Sequence, residues 1–192
     1  MPVALGDAPL HGFDQPLGLL SDCHRRIERF LQILRQVLSD TAGGALSPAQ
    51  RQALQAAVHY FDTAAPRHTE DEEKSLFPLL RAQAEDPELR NALARLEALQ
   101  TDHVLAAELH AQVRHWCGRW LDQGSLAPPQ ARRLGTLLNR LTRLYRQHIL
   151  IEDRELLPLA QRLLSARQLE RLGREMAMRR GLDPHRVREL AE

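Results

Sequence analysis

His68 and Glu72 stand four residues apart within Pro66–Leu80, and the same spacing returns as His148 and Glu152. Each acid is followed at matching offsets by apolar residues and a proline: Leu76-Phe77-Pro78 and Leu156-Leu157-Pro158. Four residues of α-helix turn through about 400°, so each imidazole lies over its carboxylate on one helix face. Imidazole is a neutral donor for iron, manganese or zinc, and a carboxylate bridges cations and offsets their charge. Two such pairs on facing helices supply what a carboxylate-bridged two-metal site in a bundle requires. Buried without a cation, Glu72 and Glu152 would be costly or would take up protons. One pair alone is an ordinary helix-surface contact worth about 0.2–0.5 kcal/mol. The joint pattern is harder to dismiss, because four long helical stretches each carry a histidine that fits a core-facing side: His24, His68, His103 and His148.

The elements that must position these residues follow from periodicity. Leu19, Leu20, Ile27, Phe30, Leu31, Leu34, Val37 and Leu38 keep helical spacing from Pro16 to before Gly43-Gly44. Ser47-Pro48-Ala49-Gln50 reads as a capping box opening a second helix toward Leu80. Pro66 predicts a kink or brief break in it, and Pro78 a second kink or its end. Asp86-Pro87 opens a third helix that Gly124 stops, and Pro128-Pro129 a fourth running to Pro158. Ser165-Ala166-Arg167-Gln168 opens a shorter fifth helix ending at Gly181, and Asp183-Pro184 a last turn. Its stripe of Leu169, Leu172, Met176 and Met178 predicts cover for the bundle, with a dimer contact as the alternative. The expected fold is all-α: an up-down-up-down four-helix bundle over residues 15–164, a tail over 1–14, and a C-terminal helical extension over 165–192 packing on the bundle.

Composition sets bounds. The 192 residues suit one domain with an appended helix. Lys+Arg number 26 against 25 Asp+Glu, so bulk charge gives no reason to expect nucleic acid or an acidic membrane as partner. Cys23 and Cys117 form no CxxC pair and read as free thiols. There is no membrane-spanning run and no signal-peptide pattern, so the expected location is the cytoplasm.

His24, the His68-x3-Glu72-Glu73-x2-Leu76-Phe77-Pro78 motif, Asp102-His103 and His148-x3-Glu152 together resemble the hemerythrin-like (HHE cation-binding) domain family. The resemblance covers roughly residues 15 to 160. It implies a four-helix bundle around a non-haem di-iron centre. Glu72 and Glu152 would be bridging carboxylates beside an oxo or hydroxo bridge, and His24, His68, His103 and His148 terminal ligands. Zinc or manganese are the alternative metals. The implied function is binding or sensing O2 or a related small diatomic or peroxide ligand. The alternatives are a di-iron oxidase, peroxidase or nitric-oxide-stress enzyme using an open iron site, and a structural or storage metal module. A sensor would need a separate signalling partner.

The chain departs from the oxygen carriers of that family. They have two histidines one turn apart on the third helix, whereas here Ala107 follows His103 by four residues. The fourth-helix acid stands at four residues, not five, and is Glu rather than Asp; both departures resemble the bacterial and regulatory branch more than the respiratory carriers. Glu28, one turn from His24, is a candidate further ligand, with a surface ion pair as the alternative. His110 lies two turns from His103, about 10 Å along the axis and too far for the same metal. Tyr145 is either a core residue or a hydrogen-bond partner for a metal-bound oxygen species. Glu73 reads as a supporting or surface partner, and Cys23 as packing. His11, His59, His115 and His185 have no suitably spaced acid. The Leu-Phe-Pro and Leu-Leu-Pro segments are expected to wall one end of the site against water.

Overall fold

The computed structural model describes residues 10–83 and 87–183, apart from the side chains of residues 87–91 and 93. Among these residues there is no strand. Helix α1, Pro16–Thr41, opens on a proline and ends where Ala42 turns left-handed at φ 50° and returns its amide to the Leu38 carbonyl. Helix α2, Pro48–Asp71, opens on the expected capping box, with Ser47 and Gln50 exchanging bonds of 3.2 and 3.0 Å.

The break expected at Pro66 is absent, and α2 runs through it. Pro66 is exposed while its neighbour Ala65 is buried. The ring therefore needs no room in the core, and water can serve the carbonyl that loses its donor.

The irregularity comes later. At Glu72–Leu76 the helix widens into a single π turn, closed by the Phe77 amide on the Glu72 carbonyl, before α3, Phe77–Arg81. A proline ring crowds the carbonyl four residues back. For Pro78 that carbonyl belongs to Lys74, inside the wide turn, so the strain expected as a kink is absorbed there. Helix α4, Pro87–Gln123, and helix α5, Pro128–Ile151, form the other half of the bundle. After α5 the device repeats: a π turn at Glu152–Leu156 precedes α6, Leu157–Leu163, which carries Pro158. The helix starts read at Asp86 and Asp183-Pro184 involve positions outside the described residues.

Helix α1 packs on α2 and α5, and α4 packs on the same two, which closes a square bundle. At one end the two loops join, with the Leu126 amide on the Gly43 carbonyl at 2.7 Å and the Trp120 indole on the Gly44 carbonyl at 2.9 Å. Two apolar cores result. One, around Leu34, Leu54, Trp120 and Leu137, fills the loop end. The other, around Leu20, Phe77, Leu99 and Leu156, fills the opposite end. Along every long helix the histidine or glutamate falls between the residues of the two cores, so the structure stacks apolar, polar, apolar.

Helix α7, Ala166–Arg179, opens on the expected Ser165 capping box and buries Leu172 and Met176 in the second core. Its inner face differs from the expected stripe. Met178 is 56% exposed, and Gly173 and Ala177 face inward instead.

Candidate metal centre

The polar layer holds His24, His68, Glu72, His103, His148 and Glu152, all buried. Glu72 is divided between two histidine pairs. Its Oε1 lies 3.2 Å from His68 Nε2 and 3.7 Å from His24 Nε2, and its Oε2 lies 3.3 Å from His103 Nε2. Glu152 is divided the same way, with Oε2 3.1 Å from His24 Nε2 and Oε1 3.2 Å from His148 Nε2. The six side chains thus form two compact donor groups, His24-His68 and His103-His148, with both carboxylates shared.

These contacts are not ordinary pairing. His24 Nε2, Glu72 Oε2 and both oxygens of Glu152 are buried and make no aligned hydrogen bond. His103 Nε2 and His148 Nε2 approach to 3.1 Å, two nitrogens facing one another. Buried polar atoms normally find partners. Lone pairs that converge on a common point instead of on donors fit a cation held between them. Each group offers two imidazole nitrogens and two carboxylate oxygens, a mixed set that iron, manganese and zinc accept.

The outer ring nitrogens explain how the imidazoles are oriented. His24 Nδ1 meets Asp153 at 2.8 Å, His103 Nδ1 meets Glu73 at 2.8 Å, and His148 Nδ1 meets Asp102 at 3.3 Å. A carboxylate on Nδ1–H fixes the tautomer that presents the Nε2 lone pair inward and makes it more basic. Glu73 and Asp153 each follow a shared glutamate directly, so one helix segment supplies a core donor and steadies a histidine across the bundle. His68 is the exception: its Nδ1 is buried with no hydrogen-bond partner.

As protein groups alone, the cluster holds protons and charges together. Burial opposes charge on His24, but the carboxylates of Asp153, Glu152 and Glu72 outweigh it and raise its pKa well above the usual value. The same contest, with Glu72 and Glu73 winning, pushes His103 up to about 9. His148 is raised by Glu152 and Glu72 against its burial. His68, without an outer carboxylate, is lowered by burial. Glu72 is held well below the carboxylate range, because the histidines around it outweigh its burial.

The remaining candidates separate clearly. Glu28 is exposed on the outer face of α1 and does not join the centre. His110 is a wall residue, stacked on Phe61 at 4.3 Å and joined to the Tyr145 hydroxyl at 3.0 Å. Burial draws its pKa down to about 4. That bond engages the Tyr145 hydroxyl with a histidine of the wall. Ala107 is exposed, while Ala106 faces the core. Cys23 is buried, and burial raises its thiol against the nearby charges of Arg180 and His24. Phe77 lies parallel to the His103 ring at 6.2 Å, and Leu76, Phe77 and Leu156 are sealed in the core end that adjoins the layer. No same-helix spacing marks Asp102 and Asp153 as supports for His148 and His24. Their position beside a histidine or a glutamate was the available signal.

Four antiparallel helices enclosing two histidine pairs and two shared glutamates define a helical-bundle cation-binding protein. Residues 15–160 match the Hemerythrin HHE cation binding domain, and the chain belongs to that family. It is also similar to an uncharacterized protein of Haemophilus influenzae (strain ATCC 51907 / DSM 11121 / KW20 / Rd). The two are 27% identical over 169 residues, spanning 88% of this chain and 91% of the relative. Among the described residues, no helix is long and apolar enough to cross a membrane.

Proposed function

We propose that the chain is a two-iron protein that binds or senses O2 or a related small oxidant. The observation that carries this reading is the division of both carboxylates: each of Glu72 and Glu152 turns one oxygen toward each histidine pair. His24 and His68 would hold one iron and His103 and His148 the other, with Glu72 and Glu152 joining them. Iron would supply the redox electrons and a position for the small ligand. The protein's part is to hold Nε2 lone pairs inward through Asp153, Glu73 and Asp102, to offset cation charge with two carboxylates, and to exclude water with Leu76, Phe77 and Leu156. Four protein donors per iron leave room for an outside ligand, since iron commonly takes more.

A second reading has its own observation. Two nitrogens and two oxygens per position make four donors, the number zinc takes in closed structural sites. The centre would then lock the bundle and do no redox chemistry. Metal analysis of anaerobically purified protein, with absorption spectra before and after air, separates the two. About two irons per chain and a visible charge-transfer band that forms in air and fades under vacuum support oxidant binding. Iron with consumption of O2 or peroxide and no reversal supports an oxidase or peroxidase. Zinc with an unchanged spectrum rules out the oxidant reading.

A further inference from the structure

The two histidine pairs have the same donors but not the same support. In the pair from α4 and α5, both rings are braced from outside, His103 Nδ1 by Glu73 at 2.8 Å and His148 Nδ1 by Asp102 at 3.3 Å. In the pair from α1 and α2, only His24 is braced, by Asp153 at 2.8 Å. His68 Nδ1 is buried and has no hydrogen-bond partner among the described residues. The ring contacts divide the same way. Phe77 lies parallel to His103 at 6.2 Å, and the Tyr145 ring stands across His148 at 6.3 Å. Among the described residues, the one ring beside His68 is that of His24, its own partner in the pair, at 5.0 Å.

The acids that could have braced His68 are engaged elsewhere. Asp71, three residues further along α2 and buried, has one oxygen on Arg179 at 2.8 Å and the other on Arg180 at 2.7 Å. Asp22, the other buried acid outside the centre among the described residues, accepts from the His11 amide at 2.8 Å and also meets Arg25. Glu70 is exposed and paired with Lys74.

The consequence is chemical. A carboxylate on Nδ1–H fixes the tautomer, aims Nε2 and makes it more basic, and losing such a partner costs about 10- to 100-fold in metal affinity. His68 must order its ring and settle its tautomer when the cation arrives. Glu72 and Glu152 serve both positions, so they do not offset the difference. A first cation between them also spends part of their charge, which lowers the attraction for a second.

We propose that the two positions are unequal: His103–His148 fills first and retains its cation, and His24–His68 fills second and exchanges. The proposal rests on the two-cation reading of the centre and not on which metal fills it. At limiting metal the chain would carry one ion on the α4–α5 side, with one oxygen of each shared glutamate still turned to the α1–α2 side. Supply of the cation, rather than the fold, then decides whether the bridged pair forms.

The test starts from the full-length chain purified with its own metal. Samples are dialysed under argon against graded EDTA, and ions per chain are counted by elemental analysis. Content is expected to fall from about two ions to one, and to hold there until the chelator is raised roughly tenfold or more. Repulsion between the ions alone would also give two steps, so variants assign them. Glu73→Gln and Asp102→Asn, both at partly exposed carboxylates, are each expected to loosen the retained ion and shrink the plateau at one ion. Asp153→Asn is expected to loosen the exchanging ion and widen it. These opposite movements separate positioning from loss of fold, which would lower both steps together. Two ions leaving the parent in one step overturns the proposal. So does a plateau that the Glu73 and Asp102 variants leave unchanged or widen. A parent that saturates at one ion overturns it together with the two-cation reading, so the starting count tells the two failures apart.

Discussion

At the scale of single residues, the centre is governed by how many positions each side chain serves. Glu72 contributes one oxygen to each histidine pair, whereas His68 contributes one nitrogen to one pair. Glu72→Gln keeps the shape but replaces one acceptor oxygen with an amide nitrogen that cannot bind a cation. It is expected to weaken both positions. His68→Ala is expected to empty the His24 side alone, lowering content from roughly two ions per chain to about one. Elemental analysis of the two variants beside the parent distinguishes shared from private donors, and equal losses would contradict the division. The outer carboxylates act through the rings. Asp153→Asn removes the anion that fixes the His24 tautomer, and metal affinity is expected to fall about 10- to 100-fold. Competition against a chelator of known affinity measures it. His68 has no such partner, so no corresponding variant exists on that ring.

At the scale of elements, the segment that carries Glu72 is held from two sides. Its π turn begins at the glutamate itself, and the polar contacts of α7 converge just there. Arg179 and Arg180 hold the buried Asp71 at 2.8 and 2.7 Å, while Arg179 and Glu175 both bond Ser75 inside the turn. Replacing both arginines with glutamine would leave Asp71 a buried charge without its two cations. The expected cost is about 3 kcal/mol, at the low end for a broken buried pair because the arginines are partly in water. Urea unfolding of metal-free protein reads it. Pro66 makes the opposite case. It sits on the outer face of an unbroken helix, so Pro66→Ala restores a backbone donor without disturbing the core. A gain of about 1–3 kcal/mol with unchanged metal content is expected in the same unfolding experiment. The sequence made His68, Glu72, His148 and Glu152 legible because His-x3-Glu spacing stays on one helix face, and His24 and His103 legible as the histidines that fit the core-facing sides of the other two long helices. It could not show that Glu73 reaches His103, or Asp153 His24, since spacing reports only contacts within one helix. Nor could it locate the wide turns: a proline announces strain, but the surrounding packing decides which turn absorbs it. The residues before Pro16 have no periodicity and read as a tail, yet His11 and Phe13 are fixed by tertiary contacts that no local pattern reveals.

At the scale of the whole molecule, a polar layer between two apolar cores makes fold and cation interdependent. A cation bound only by the folded chain adds stability as RT ln(1 + [L]/Kd), about 2.7 kcal/mol at a hundred times Kd. The pH dependence of that gain follows from the histidines. His103 is raised to about 9 in the metal-free cluster, and His24 and His148 are raised as well. A group with a raised folded pKa contributes stability fully below its unfolded value, about 6.5, and loses it as pH climbs through the folded value. The metal-free fold should therefore weaken from about pH 6.5 toward pH 9. His68 and Glu72 are lowered instead, so their contributions fade on the acid side and do not oppose this trend. Over the same interval the cation has fewer protons to displace, so binding strengthens. The two slopes add. The gap in melting temperature between metal-loaded and chelator-treated protein is expected to widen steadily from pH 6.5 to 9, measured by calorimetric scans in matched buffers. A gap that stays constant would mean that the histidines do not hold their protons in the metal-free state. In that case the shared carboxylates must be relieved of their burial by some other cation or by water.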